Sequence, residues 1–185
     1  MCNLKKILEV KQLNKKYAMD GNKTCHMLKN INLEIYEGEF ISVMGPSGSG
    51  KSTLLYNISG MDQMSSGSVK VDSKEITCMK EEVLAKLRLS EMGFIFQQSN
   101  LLRNLNLFDN IVLPAYLAKV ESRKIINKRA LELMKKTGIS QIATNNITEA
   151  SGGELQRVSI CRALINKPNI IFADEPTGAL NLKAT

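Results

Sequence analysis

Three observations in the sequence predict an α/β fold. A short apolar run, Phe40 to Met44, leads into the glycine-rich stretch Gly45-Pro46-Ser47-Gly48-Ser49-Gly50-Lys51-Ser52, and a helical run, Thr53 to Ser59, leads out of it. Two more compact apolar segments, Gly93 to Phe96 and Asn169 to Ala173, end in polar side chains. Open α/β sheets place their ligand-binding groups at strand ends of this kind. Residues 99–149, between those two segments, carry helical rather than strand spacing.

In chain order, Leu4 to Leu13 alternates briefly and reads as an edge strand; Asn14-Lys15-Lys16-Tyr17 comes next, and the polar, glycine-containing stretch that follows it, to about Thr24, reads as a loop or hairpin. Leu28, Ile31, Leu33 and Ile35 mark a half-buried strand that ends at Glu37-Gly38. After the glycine-rich loop and its helix, Gly60 to Gly67 is a turn-rich connection, Ser68 to Val71 a short strand, and Met79 to Ser90 a polar helix with spaced leucines. Gly93 to Phe96 is a buried strand ending at Gln97-Gln98. Apolar spacing runs from Leu101 to Pro114, a helix is expected from there to about Val120, and Ser122 to Thr137 is amphipathic, stopped by Gly138. A glycine pair, Gly152-Gly153, precedes a helix from Leu155 to about Asn166. The last strand, Asn169 to Ala173, ends in the adjacent carboxylates Asp174 and Glu175.

The loop fits the phosphate-binding pattern G-x-x-x-x-G-K-[ST], and its strand–loop–helix setting is what that pattern requires. Its glycines let successive backbone N–H groups line an anion-binding nest, and the following helix aims its positive end at the same point. In such a loop Lys51 reaches the terminal phosphates of a nucleotide and the Ser52 hydroxyl joins the shell of a Mg²⁺ ion. An acid at the end of a neighbouring strand must hold that metal, which suits Asp174, and a second acid, Glu175, is placed to polarise a water. The Ser151-Gly152-Gly153 turn is a second candidate anion-binding helix start.

Composition narrows the partners. The chain has 185 residues, enough for one domain with its own core, and a net charge of +7. A basic balance suits nucleic acid or an anionic membrane surface. The lysines nevertheless occur only in short pairs, with no run of five like charges, which reads as a solvated basic surface. Cys2, Cys25, Cys78 and Cys161 show neither C-x-x-C pairing nor histidine partners, so free thiols in a reducing compartment are expected. Neither a signal-peptide stretch nor a run long enough to span a membrane is visible, and a cytoplasmic location follows as the expectation.

The ordered set of motifs resembles the nucleotide-binding subunits of ATP-binding cassette (ABC) transporters, from near residue 4 to the last residue. Gly45 to Ser52 resembles the Walker A loop, Gln97 the Q-loop glutamine, and Ala150-Ser151-Gly152-Gly153-Glu154 the signature motif usually written LSGGQ. Ile170 to Glu175 resembles the Walker B strand with its catalytic glutamate, and Gly178 to Asn181 stands where the D-loop belongs. The segments GFIFQQSNLL, VLPAYL and FADEPTGAL are similar to those of the MacB/LolD-like group, especially bacitracin and antimicrobial-peptide exporters of Gram-positive bacteria.

The resemblance implies a P-loop NTPase (RecA-like) core, residues 1–98 and 150–185, with an N-terminal antiparallel β region and an inserted helical subdomain, residues 99–149. It implies an ATPase with ATP and Mg²⁺ as cofactors: Tyr17 stacked on adenine; Gly45, Pro46, Ser47, Gly48, Ser49, Gly50, Lys51, Ser52 and Thr53 around the phosphates; Ser52, Gln97 and Asp174 at the metal. Glu175 would be the general base, with Gln97 and Lys51 supporting catalysis. Ser151, Gly152, Gly153 and Glu154 would address the γ-phosphate of an ATP held by a second subunit in a head-to-tail dimer. The helical subdomain would dock on a membrane permease, placing the protein peripherally on the inner face of the cell membrane, with export of antimicrobial peptides or lipid-like substrates as its task. A soluble ABC-type ATPase acting on ribosomes or DNA is the alternative, as is a nucleotide-binding fragment without turnover. Ala150 replaces the usual leucine and Asn181 the usual D-loop aspartate. The chain stops at Thr185, before the family's switch histidine, and His26 lies too early to serve; the expectation is a truncated cassette with weak turnover on its own.

Overall fold

A computed structural model describes residues 5–19 and 23–176. Gly178 to Asn181, read as the D-loop, lie outside the described residues. The chain divides into two compact units, between Leu84 and Ala85. No described helix is long and apolar enough to cross a membrane.

The first unit is built on a sheet of order β2-β1-β3-β4, formed by β1 (Lys6–Met19), β2 (Lys23–Tyr36), β3 (Ser66–Val71) and β4 (Lys74–Glu75). β1 runs antiparallel to β2, with Val10 opposite Leu33 and Tyr17 opposite Cys25, and antiparallel to β3, with Val10 opposite Val69. This corrects the expected edge strand: β1 is interior and continues beyond Leu13 to Met19. Register shifts between Val10 and Leu13 switch the inward positions from Leu8 and Val10 to Leu13 and Lys15, all buried. A buried lysine is tolerable because its ammonium donates to Asp62 Oδ1 at 2.7 Å and to the Gln63 carbonyl at 2.5 Å. The sheet's apolar face, with Leu28, Val69, Val71 and Ile76, supplies the core together with Ile58 of α1 (Lys51–Ile58) and Leu84 of α2 (Glu81–Glu91).

The run from Phe40 to Met44, expected as a strand, belongs to no regular element. Phe40 is 95% and Met44 87% exposed, and Ile41 and Val43 are also exposed. A strand is defined by ladder hydrogen bonds, and no described strand pairs with this run.

The second unit pairs β5 (Met92–Ile95) with β6 (Ile170–Ala173) in parallel, Met92 opposite Ile170 and Ile95 opposite Ala173. Its core is the packed faces of α3 (Leu107–Ala118), α4 (Arg123–Lys136) and α5 (Gly152–Leu164), with Leu107, Ile111, Ile126, Met134, Val158 and Ile165 fully buried. α3 starts seven residues before Pro114 and runs through it, where a helix was expected only beyond the proline. An interior proline costs about 3 kcal/mol. Burial of Leu107, Ile111 and Val112 at roughly 2 kcal/mol each outweighs that. α4 ends as the sequence predicts: the Gly138 N–H donates to Lys135 O at 3.2 Å and Ile139 N–H to Met134 O at 2.9 Å, a complete Schellman pair. β5 meets α5 at Gly93, where an added Cβ would lie 2.7 Å from the Ala163 carbonyl oxygen, so only glycine permits the approach.

Candidate functional site

In the first unit the phosphate-type loop has the backbone its pattern calls for. Gly48 and Gly50 take φ of +77° and +91°, and Gly50 is the N-cap residue of α1. Those angles exclude side-chain-bearing residues at low cost; at Gly50 an added Cβ would also press on Met27 Cγ at 3.3 Å. Lys51, the first residue of α1, folds its ammonium back over the loop, donating to Gly45 O at 3.0 Å and Pro46 O at 2.9 Å. Ser47 and Ser49 lie in the turn, tightened by a Ser49 N–H bond to Pro46 O at 3.2 Å; Ser52 and Thr53 fill the first turn of α1, whose first turn holds no acidic residue. The result is a positive ammonium, a helix N-terminus and a glycine turn in one short segment, a donor set for an anion.

Tyr17 lies on β1 and is exposed. Its hydroxyl donates to Asp62 Oδ2 at 3.0 Å, and the Lys15 ammonium sits 4.8 Å from its ring centroid. Asn57 of α1 reaches the same carboxylate at 3.3 Å. Burial alone would raise the Asp62 carboxyl, but the bonds from Lys15 and Tyr17 win and hold it below its ordinary range. Asp62 and Lys15 therefore fix the ring of Tyr17, a role the sequence did not signal.

In the second unit the ends of β5 and β6 carry the other candidates. The Asp174 N–H donates to Ile95 O at 2.9 Å, which extends the parallel pairing by one residue. The next residue, Glu175, has φ of +47°, a left-handed conformation that costs a non-glycine residue about 1 kcal/mol. Strain of this sort concentrates at functional sites. Gln97, two residues past the end of β5, donates from Nε2 to Glu175 Oε2 at 2.6 Å. Two residues 78 positions apart, singled out separately, are thus brought into direct contact.

Gln156 was missed. It is buried on α5, and its Nε2 donates to Phe96 O at 3.3 Å and Pro176 O at 3.0 Å, the carbonyls flanking Gln97 and Glu175. Arg162 steadies the chain just beyond Gln97, donating to Ser99 O at 2.6 Å and Asn100 O at 2.8 Å. A glutamine or arginine on an amphipathic helix ordinarily faces solvent, so neither declares itself in sequence.

The glycine pair lies inside α5, whose N-cap is Ser151; the helix begins three residues earlier than the sequence suggested. Ser151 and Glu154 form a capping box: the Ser151 N–H donates to Glu154 Oε2 at 2.8 Å and the Glu154 N–H to Ser151 Oγ at 3.4 Å. The Ser151 hydroxyl, foremost, and its N–H hold the Glu154 carboxyl below its ordinary value. Glu154 thereby fixes the helix start, and the amides of Gly152 and Gly153 lie in its first turn.

The comparisons agree with this geometry. The model of the ABC transporter family matches residues 28–178. The macrolide export ATP-binding/permease protein MacB of Mannheimia succiniciproducens is 48% identical over 176 residues, which cover 95% of this chain and 27% of that protein. The bacitracin export ATP-binding protein BceA of Halalkalibacterium halodurans is 44% identical, over 96% of this chain and 70% of that one. The chain thus spans about a quarter of the MacB relative (27%) and more than two thirds of BceA. Among solved structures, the dimeric ATP-binding cassette MJ0796, in a post-hydrolysis state bound to ADP and Pi, superposes with a TM-score of 0.90 at 41% identity, covering 96% of this chain and 78% of that one. The fold is that of an ABC ATPase cassette, a P-loop NTPase core with an antiparallel β region and added helices. With a family model over residues 28–178 and relatives in the MacB, BceA and LolD group, this chain belongs to the ABC transporter family.

Proposed function

We propose that this chain is the ATP-binding and ATP-hydrolysing subunit of an exporter. The observation that carries the reading is the hydrogen bond from Gln97 Nε2 to Glu175 Oε2, 2.6 Å, at the carboxyl end of the parallel strand pair. A carboxylate on a strained backbone, oriented by an amide, has the geometry of a general base held toward a water. Lys51 and the loop amides, Gly48 and Gly50 among them, would take the β- and γ-phosphates, and Tyr17, fixed by Asp62, would stack on adenine. Ser52 in the first unit, and Gln97 and Asp174 in the second, each carry the kind of oxygen donor that Mg²⁺ prefers and would be the residues to hold it. When bound, Mg²⁺ would neutralise charge developing on the phosphate oxygens. The Lys51 ammonium must exchange its two loop carbonyls for phosphate oxygens, a trade from neutral acceptors to charged ones that favours nucleotide binding.

Ser151, Gly152 and Gly153 would grip the γ-phosphate of an ATP carried by a second copy, a reading supported by the dimeric form of the solved relative. A membrane permease would be the further partner, placing the chain on the cytoplasmic face of the membrane; MacB and BceA are named as export proteins. Antimicrobial peptides or lipid-like molecules are the proposed cargo.

Phosphate release by the purified chain, with ATP binding measured alongside, tests the proposal. Glu175→Gln is expected to lower kcat by about 10²–10³-fold while ATP affinity stays within about threefold. Turnover unaffected by that change removes Glu175 as base. Binding without any turnover in the unaltered chain overturns hydrolysis and leaves a nucleotide-binding module.

A further inference from the structure

The chain's net charge is +7, and one helix holds most of the imbalance: α4 has six basic residues and a single acidic one, Glu132. A period of 3.6 residues places Lys124, Lys128, Leu131 and Lys135 in one stripe, flanked by Ile125, Glu132 and Lys136. All seven are exposed, whereas Ile126, Ala130 and Met134 on the opposite side are buried in the helical core. Arg129 is spent elsewhere: together with Lys167 it pairs with Glu121. Arg123 is likewise engaged, 4.9 Å over the Tyr116 ring. Among the described residues no carboxylate lies within ion-pair distance of Lys124, Lys128, Lys135 or Lys136. Between these ammonium groups two branched aliphatic side chains face outward, Ile125 at 53% and Leu131 at 52% exposure. Val120, 80% exposed, stands two residues before the helix cap, Ser122.

We propose that this face of α4 rests on an anionic phospholipid surface. The stripe from Lys124 to Lys136 runs about 18 Å along the helix at 1.5 Å per residue. It is a convex ridge, shaped for a flat surface and not for enclosing an extended peptide. Lysine stems are long enough to hold their ammonium groups among lipid phosphates while Ile125 and Leu131 enter the acyl boundary below. Single-stranded nucleic acid is met by basic grooves with stacking aromatics, and α4 contains no aromatic residue. Four of the chain's 25 basic residues, Lys124, Lys128, Lys135 and Lys136, are thus brought by the helix onto one amphipathic, outward-facing ridge. The proposal is separate from the ATPase reading, which uses none of these residues.

Flotation of the purified full chain with vesicles tests it. One set is phosphatidylcholine alone, the other an equal mixture of phosphatidylcholine and phosphatidylglycerol. Binding is expected to the mixed vesicles only, and to fall as NaCl is raised. Each surface lysine contributes about fivefold, so Lys124→Gln/Lys128→Gln/Lys135→Gln should weaken partitioning by about a hundredfold. Ile125→Ser/Leu131→Ser should also weaken it, with the salt dependence kept. Circular dichroism shows that each variant is folded, and Glu175→Gln should bind vesicles as the unaltered chain does. No binding to mixed vesicles, equal binding to neutral ones, or undiminished binding by the folded lysine variant overturns the proposal. So does binding of the chain to polyglutamate in preference to the mixed vesicles, which assigns the ridge to an acidic protein partner.

Discussion

At the scale of single residues, the contact between Gln97 and Glu175 rests on a third side chain that touches neither. Gln156 holds the Phe96 and Pro176 carbonyls from one amide nitrogen, so the backbone just before Gln97 and just after Glu175 is pinned to the same point on α5. Displacing a reacting group by about 1 Å costs on the order of 10² in rate. Gln156→Ala is therefore expected to lower kcat by about 10–100-fold while the KM for ATP moves by less than about threefold; steady-state kinetics on the folded variant separates the two. An equal loss in both constants would mean that Gln156 supports the whole site and not the placement of these two groups. Sequence was a good guide to residues whose chemistry is local. Gly48, Gly50, Lys51 and Ser52 announce a phosphate loop by spacing alone, and Asp174-Glu175 announce a strand end. Gln156 and Asp62 could not be found that way, because their roles come from partners 20 to 60 residues distant or from another strand.

At the scale of elements, helices were more legible than strands. Ser122 and Gly138 delimit α4 as expected, since its cap signals are encoded within a few residues. β1 was ended at Leu13 because the polar Asn14-Lys15-Lys16 stops the apolar alternation, and Lys15 fits a buried strand position only through its bond to Asp62. α3 was begun too late because a proline reads as a break unless its apolar side is known to be buried. One element-level tie has a pH signature. Glu121, in the turn before α4, pairs first with Arg129 of that helix and then with Lys167 beyond α5, which holds its carboxyl well below the ordinary 4.5, at about 2. A depressed carboxyl contributes stability that is complete above its unfolded value and is lost as pH falls through its folded value. The window here is from about 4.5 down to about 2. Urea unfolding of Glu121→Gln should show less change in stability across that window than the unaltered chain, with the difference between them closing as pH approaches its lower end.

At the scale of the whole molecule, the fold class was legible because phosphate loop, strand ends and helical insertion occur in a fixed order; the pairing of Phe40 to Met44 was not, because a strand's neighbours are a property of the assembled sheet. An exposed run with Phe40 and Met44 almost wholly in water is a template for unwanted strand association. Phe40→Ser/Met44→Ser should reduce concentration-dependent light scattering without lowering the unfolding midpoint; unchanged scattering would place self-association elsewhere. α5 has a different consequence for the molecule. Its first turn, held by the Ser151–Glu154 box, and its Gln156 clamp are five residues apart, about 7.5 Å of continuous helix. A segment that short does not bend. It acts as a strut: the helix start at Gly152 and Gly153 and the Phe96 and Pro176 carbonyls that Gln156 holds are spaced by about one and a half turns of a single helix.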